Sequence, residues 1–469
     1  MVNRKGLRKK LITIALPIIV QQLVHYAQIM TDALLLSRVD PGYLSALGNV
    51  LTPYFTMLVF LFAASSGLTV LVAHSHGGSR NRQAARVSEV SLFFTTLVSL
   101  LFFFIWFVGG RFLLKAMGAT GSALAQGEQY VQLLSFSLIL FGIEFSLQST
   151  LQGVGITGPI MASGITRNVV NILLDCLLIN GYPGFPGMGI QGAALATTIA
   201  NVLSAVYLML YVHYSTKLPF RLRIGSIFKP RWRVYRYVVA IGFPAGLELM
   251  LFNFGQLVIV RMLNTLDGMA VGVFVLIKHV QFVALFVYIG IARATLALVG
   301  QRLGAKDEAG ARFVTASAVR ISVLISAGAA LLFFAAPQWI LTQFSGSGPV
   351  FLPLEMPGFL AWRSVIVERG LPLMWIIALT LFPQTINVVI GHAIRGMQDT
   401  RWMLYTQIGG TLFVIAAAAL GIFTLQAGLA FIFLTYLVDE SLRGLVNYLR
   451  FRFGRHFLKA VFFRRCIGY

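Results

Sequence analysis

The sequence has few acidic residues and few cysteines. It contains 15 Asp and Glu against 37 Lys and Arg, and only two cysteines in 469 residues. Cys176 lies in an apolar segment and Cys466 near the C-terminus, so a disulfide between them is not expected and redox chemistry has no support. The phosphate-loop pattern G-x-x-x-x-G-K-S/T is absent, which excludes ATP hydrolysis by a P-loop, and the G-x-S-x-G and H-E-x-x-H motifs are absent too.

Apolar residues make up most of the chain. Hydrophobic residues account for 58% and charged residues for 11%, and the mean hydropathy is +0.82. This composition predicts an all-α polytopic membrane protein and not an enzyme with large soluble domains. Most Lys and Arg lie in the termini and in alternate loops, which predicts a cell-membrane protein with an even number of spans and both termini in the cytoplasm. The net charge of +22 would then face anionic lipid headgroups, with no nucleic-acid partner.

The apolar segments predict twelve transmembrane helices. They lie at approximately 11–36, 47–73, 87–110, 128–150, 160–180, 189–213, 236–262, 268–299, 311–335, 371–394, 402–421 and 425–449. The predicted domains are an N-lobe over 1–213, a cytoplasmic linker over 214–235, a C-lobe over 236–449 and a basic cytoplasmic tail over 450–469.

The two halves of the chain repeat a common pattern. Ile14-Ala15-Leu16-Pro17 corresponds to Ile241-Gly242-Phe243-Pro244, an offset of 227 residues. Six spans in each half bring both copies into the membrane the same way round, so the repeat is parallel, about an axis along the membrane normal. We therefore expect two pseudo-symmetric six-helix lobes around a central cleft, which suits transport by alternating access.

A polar stretch from Arg167 to Thr197 interrupts the apolar pattern. Its first part carries Asn168, Asn171 and Asp175, and spacings of three and four residues place them on one face of a helix. A carboxylate within a membrane span costs about 2.5–3.5 kcal/mol on insertion scales, so we expect the protein to use it. The Gly- and Pro-rich run at 181–192 ends this helix, and small residues after it permit close helix packing.

The first span carries a second polar stripe. It consists of Gln21, His25, Gln28 and Asp32. Spacings of four, three and four residues place these side chains on one helix face. Two interpretations stay open: the stripe lines a hydrated cavity together with Asn168, or it packs against another polar helix. A stripe that ends in a carboxylate favours the cavity.

Other intramembrane charges have structural interpretations. The fourth span has a polar row in which hydrogen bonding is expected, namely Glu144, Gln148 and Gln152. The second half offers three less favoured site candidates, namely Glu248, Lys278 and His279. A neutral Glu248–Lys278 ion pair is favoured over a role in ion coupling. Asp439 and Glu440 lie close enough to Arg443 in sequence to form local ion pairs.

The fifth and sixth spans resemble the multidrug and toxic compound extrusion (MATE) family of the MOP flippase superfamily. That family has N-x-x-L-D, a Gly/Pro turn and then G-x-x-G-A-A-x-A-T. The matching residues here are Asn171, Leu174, Asp175, Gly189, Gly192, Ala193, Ala194, Ala196 and Thr197. The resemblance extends over nearly the whole chain and includes Leu16-Pro17 with Asp32 fifteen residues later.

The resemblance implies an antiporter that exports small organic compounds, cationic or amphipathic, in exchange for H⁺ or Na⁺. In the DinF-like branch the ion and substrate site lies in the N-lobe, at positions matching Asp32, Asn171 and Asp175, with Thr197 as the matching sixth-span threonine. A sodium-coupled version would bind Na⁺ at Asp32, Asn171 and Asp175. No other cofactor is expected, and we expect a monomer. Another branch uses a seventh-span glutamate eight residues after the proline, where this chain has Phe252.

Two other functions compete with export. A lipid-linked oligosaccharide flippase of the same superfamily is the main alternative, but such cavities are basic, whereas the first-lobe stripe here is acidic. An integral-membrane transferase or hydrolase would need a catalytic cluster and sizeable extramembrane loops. The longest predicted outer loop, 345–370, carries only four charged residues, namely Glu355, Arg363, Glu368 and Arg369.

Overall fold

The computed structural model describes residues 4–39, 42–182, 184–229, 231–266, 268–346 and 359–454. Its helices are α1 (Arg4–Val39), α2 (Gly42–Gly77), α3 (Asn81–Ala116), α4 (Gly121–Val154), α5 (Gly158–Leu178), α6 (Ile190–Tyr214), α7 (Ile224–Ile227), α8 (Trp232–Leu263), α9 (Gly268–Gly304), α10 (Glu308–Ala335), α11 (Pro337–Gly346), α12 (Phe359–Gly396), α13 (Thr400–Ala419) and α14 (Leu429–Phe453). A π-helical turn, Leu420–Thr424, follows α13. Two short strands, β1 (Gly181–Tyr182) and β2 (Phe185–Pro186), form an antiparallel hairpin between α5 and α6.

The prediction of an all-α protein with twelve transmembrane helices is confirmed. Within the described ranges, eleven helices are long and apolar enough to cross a membrane. The twelfth is α14, whose 25 residues carry Asp439, Glu440 and Arg443 and are therefore less apolar. Several helices begin before their predicted spans: α1 starts at Arg4 and α12 at Phe359. Hydropathy detects only the part of a helix that matches the hydrocarbon core, not polar turns that continue it.

The described residues pack into two compact units. The first unit comprises 20–243, and the second comprises 4–19, 244–346 and 359–454. The chain passes from one unit to the other within α1 and within α8, near the equivalent residues Pro17 and Pro244. The first turns of α1 belong to the second unit because their apolar residues, including Leu7 and Leu11, are buried in its core. The sequence predicts instead that the lobes divide at the cytoplasmic linker over 214–235. That division stays a prediction.

Each unit packs its helices in the same order. In the first unit α4 packs against α2, α3 and α6, and α5 packs against α6. In the second unit α12 packs against α9, α10 and α14, and α13 packs against α14. The correspondence runs from α2 through α6 to α9, α10, α12, α13 and α14 in turn. The repeat inferred from short sequence matches is thus also a repeat of helix packing.

Candidate functional site

Helix α5 places the polar residues of the sequence stretch on one buried face. Thr157 precedes its first turn and Pro159 lies within it, where proline's missing N–H costs no helical hydrogen bond. Asn168, Asn171 and Asp175 are all fully buried. The opposite face is apolar and exposed, with Val169, Leu173 and Leu177. The predicted placement of the three polar residues on one helix face is confirmed, and that face is buried.

Close approach of α6 to the end of α5 depends on glycine. A Cβ atom added to Gly192 would lie 2.5 Å from the carbonyl oxygen of Leu178, which no real Cβ tolerates. The hairpin between the helices turns through Gly181 and Gly184, whose φ angles of 76° and 89° favour glycine. The Gly/Pro run therefore reverses the chain within a few residues and brings α6 against the polar face of α5.

Asn171 is hydrogen-bonded on both sides of its amide. The Gln28 side-chain N–H₂ of α1 donates to Asn171 Oδ1. Asn171 Nδ2 in turn donates to Thr197 Oγ1 of α6 at 3.4 Å. Three helices thus meet at Asn171, and the structure brings together the residues of three separate sequence motifs.

Asp32 and Asp175 are neighbours at the same site. Asp32 is half-buried on α1, and its carboxyl group lies within hydrogen-bonding reach of Asp175 and of Gln28. Neither oxygen of the buried Asp175 accepts a hydrogen bond from a donor in the described ranges, and Asp32 Oδ1 accepts none there either. Two ionised carboxylates are both acceptors, so their contact becomes a hydrogen bond only when one holds a proton.

The remaining predicted cavity residues have mixed environments. Gln21 is buried against α5: a Cβ added to Gly164 would lie 2.7 Å from Gln21 Cγ. Asn168 is fully buried, and its side-chain oxygen and nitrogen contact no hydrogen-bonding partner among the described residues. His25 is half-buried. The first-span stripe therefore packs against the polar face of α5 at Gln21 and Gln28 and contributes a carboxylate at Asp32. That the stripe lines a hydrated cavity stays a prediction.

Tyr130 of α4 is a site residue that the sequence did not reveal. Its side chain is 6% exposed and lies near enough to Asp32 and Asp175 to interact with them electrostatically. A phenol can donate its O–H to a carboxylate. A single tyrosine in an apolar span forms no pattern, so only the packing of α4 against α6 reveals it.

Glu144 has the structural role predicted for it. Its Oε1 accepts hydrogen bonds from Gln148 Nε2 at 2.8 Å, Arg167 Nη1 at 3.1 Å and Ser204 Oγ at 3.0 Å. The arginine that begins the polar stretch of α5 is therefore the counter-ion of Glu144. The ion pair links α5 to α4, and the Ser204 hydrogen bond adds α6.

The predicted Glu248–Lys278 ion pair is wrong. Glu248 of α8 forms an ion pair with Arg395 of α12, at 2.5 Å between Oε1 and Nη2, and both side chains are largely buried. Arg395 also contacts His392 Nδ1 at 3.0 Å. The larger reach and forked donors of arginine satisfy two partners at once. Glu248 is thus the counter-ion of an arginine 147 residues away in sequence.

The other second-half candidates do not join Glu248. Lys278 Nζ lies 3.7 Å from the centroid of the Tyr436 ring and donates to Gln281 Oε1 at 3.3 Å. His279 Nδ1 bonds the Val275 carbonyl oxygen of its own helix at 2.8 Å. The local ion pairs of α14 are confirmed. They join Arg443 to Asp439 at 2.5 Å and to Glu440 at 3.2 Å.

Known transporters match this chain over nearly its whole length. The chain is 22% identical over 449 residues to the "Uncharacterized transporter YisQ" of Bacillus subtilis, covering 94% of this chain and 93% of that protein. It is 24% identical over 463 residues to the "Probable multidrug resistance protein NorM" of Thermotoga maritima, covering 97% and 92%. These names do not favour the flippase alternative.

Solved structures share the fold. An outward-facing multidrug resistance MATE family transporter of the MOP superfamily matches with a TM-score of 0.86 and 18% identity, over 95% of each chain. A MOP superfamily transporter from Pyrococcus furiosus, described as having a binding pocket of reversed polarity, matches with a TM-score of 0.85 and 18% identity over the same shares. The MatE family model matches residues 17–177 and 244–420, which is most of both halves. The chain therefore belongs to the MatE family of multidrug efflux transporters.

Proposed function

We propose that this protein is a secondary active antiporter that exports organic cations or cationic amphipathic compounds in exchange for protons. The observation that carries the proposal is the contact between the carboxyl groups of Asp32 and Asp175, with no donor in the described ranges to satisfy Asp175. The protein would act as a monomer in the cell membrane, with both termini in the cytoplasm.

Two adjacent carboxylates in a membrane span do not both stay ionised without a cation. Like charges about 4 Å apart repel by about 4 kcal/mol at an effective dielectric constant near 20, and burial adds a desolvation cost. A proton shared between Asp32 and Asp175 removes the repulsion and lowers the desolvation cost, because it leaves one negative charge instead of two. So does a bound organic cation, and competition between proton and cation for one site is the chemical basis of exchange.

The surroundings of the carboxyl pair favour H⁺ over Na⁺ as the coupling ion. A sodium ion needs several oxygen ligands. The amide oxygen of Asn171 already accepts the Gln28 N–H, and the Asn171 amide group donates to Thr197. A proton needs only the two carboxyl groups. Na⁺ at Asp32, Asn171 and Asp175 would have to use the second lone pair of the Asn171 oxygen and would need further oxygen ligands besides the two carboxylates.

Exchange follows if proton and substrate bind the same pair in alternate steps. A proton taken up from the outer side lowers the negative charge of the pair and releases the cation. Loss of that proton to the cytoplasm restores the charge that attracts the next cation. The membrane potential adds about 2.3 kcal/mol per 100 mV for each net charge moved inward, so it drives the exchange only when the protons that enter carry more charge than the cation that leaves. A proton or a substrate drives such a cycle only if it binds the outward-facing and inward-facing states with different affinities.

The test is transport of a fluorescent organic cation by purified protein in proteoliposomes, with proton and sodium gradients imposed separately. With equal sodium concentrations on both sides, we expect the fluorescent cation to move in the direction opposite to the flow of protons down their imposed gradient. Transport driven by sodium alone, at equal pH, would assign the coupling to Na⁺. Transport of the cation that responds to neither gradient would overturn the antiport proposal.

A further inference from the structure

The second unit has an apolar groove on the surface formed by α10, α12 and α14. The groove encloses about 560 Å³, within the range of about 300–1,000 Å³ typical of small-molecule sites. Its apolar lining includes Val319, Pro383, Ile386, Ile390, Leu445 and Phe451. On α14 the lining residues recur every three or four positions, so one whole helix face borders the groove. None of these residues belongs to the carboxyl site.

Arg320 is the charged residue of the groove lining. It is exposed, and it forms neither an ion pair nor a side-chain hydrogen bond with any residue in the described ranges. Nearby buried arginines differ in this respect: Arg395 pairs with Glu248 and Arg443 pairs with Asp439. An arginine on the bilayer-facing surface of a span costs about 2.5–3.5 kcal/mol on insertion scales, so it needs an anion that no residue of the described ranges supplies.

The position of Arg320 along α10 points to the inner leaflet. Arg320 lies twelve residues after Glu308, the first residue of the helix, or about 18 Å along its axis. Side chains on a helix tilt toward its N-terminus, which the charge distribution assigns to the cytoplasmic side for α10. A long arginine side chain extends further in that direction. The guanidinium group therefore reaches toward the headgroups, while the apolar groove continues into the hydrocarbon region.

We propose that this groove binds one anionic phospholipid of the cytoplasmic leaflet, with its phosphate on Arg320 and an acyl chain along α12 and α14. The chemistry matches at both ends. A guanidinium group binds phosphate through two parallel N–H···O bonds, and the apolar lining suits an acyl chain. Basic pockets between transmembrane helices on the cytoplasmic side bind anionic headgroups in this way.

The test is native mass spectrometry of purified full-length protein, delipidated and then mixed with equal amounts of phosphatidylglycerol and phosphatidylcholine that have identical acyl chains. We expect the first bound lipid to be phosphatidylglycerol by about fivefold, the factor for one basic residue beside an anionic lipid. Arg320→Gln should reduce that preference to near unity, and Arg320→Lys should keep part of it. The matched control is Arg401→Gln, because Arg401 is exposed at the start of α13 outside the groove.

A second variant tests the groove without changing charge. Ala316 lines the groove and is exposed, so Ala316→Trp should fill the groove without disturbing the core, and should reduce retention of the first lipid of either kind. Unchanged phosphatidylglycerol preference in Arg320→Gln, or unchanged lipid retention in Ala316→Trp, would overturn the proposal. A dimer that Ala316→Trp dissociates would also overturn it, because the groove would then be occupied by a second copy of the chain.

Discussion

The ion pair between Glu248 and Arg395 leads to a quantitative prediction about stability and transport. The two side chains are 12% and 14% exposed, and their nearest atoms are 2.5 Å apart. Removing one partner of a buried pair leaves an uncompensated charge, at a cost of about 3–5 kcal/mol. Glu248→Gln should therefore destabilise the protein by about that amount. Glu248→Gln combined with Arg395→Gln should recover most of the loss, because neither residue of the double variant carries a charge.

Thermal stability of the purified protein, followed by size-exclusion chromatography after heating, measures both effects. The matched control is Glu128→Gln, whose partner Arg111 is 3.7 Å away and 62% exposed. Exposed pairs contribute about 0–1 kcal/mol, so this variant should resemble the parent protein. The reasoning is refuted if Glu248→Gln is as stable as Glu128→Gln, or if the double variant is no more stable than the single one. Folded Glu248→Gln protein should still transport; inactivity equal to that of an Asp175 variant would assign a coupling role to the second unit.

Two further predictions concern topology and helix packing. Tags at Lys217 and after the last residue should both be cytoplasmic, and a tag near Pro357 should be external. Protease protection of the tags measures this. Tags at Lys217 and Pro357 on the same side would contradict the twelve-helix topology. Gly192→Val should destabilise the protein by about 1–3 kcal/mol, because its side chain would overlap the Leu178 carbonyl group. Gly158→Ala is the control, since open space surrounds that position; equal melting temperatures for the two variants would argue against the close packing of α5 and α6.

Local patterns predicted the faces of individual helices well. The spacing of Asn168, Asn171 and Asp175 places them on one face in any α-helix, and the structure buries that face. Apolar length similarly predicted the helices themselves, although the polar first turns of α1 lie outside the apolar segment. Such features depend on residues a few positions apart, which is the range over which helix geometry is fixed.

Partners far apart in sequence were harder to predict. Glu248 pairs with Arg395 rather than with Lys278 because α8 and α12 bring those side chains together, and no spacing rule encodes that contact. The link from Gln28 to Asn171 spans 143 residues, and no sequence pattern predicted it. The same limit applies to the first turns of α1, which are buried in the core of the second unit.

The central claim is that Asp32 and Asp175 exchange a proton for an organic cation. Its most direct test is proton release from purified, weakly buffered protein when tetraphenylphosphonium is added, followed with a pH indicator dye. The parent protein should release protons in proportion to the cation bound, as should the control Asp399→Asn, whose carboxylate pairs with Arg450 instead. Asp175→Asn should fold, because the amide matches the carboxyl group in shape, and should release no protons. Cation-dependent release from Asp175→Asn equal to that of the parent protein would contradict the claim.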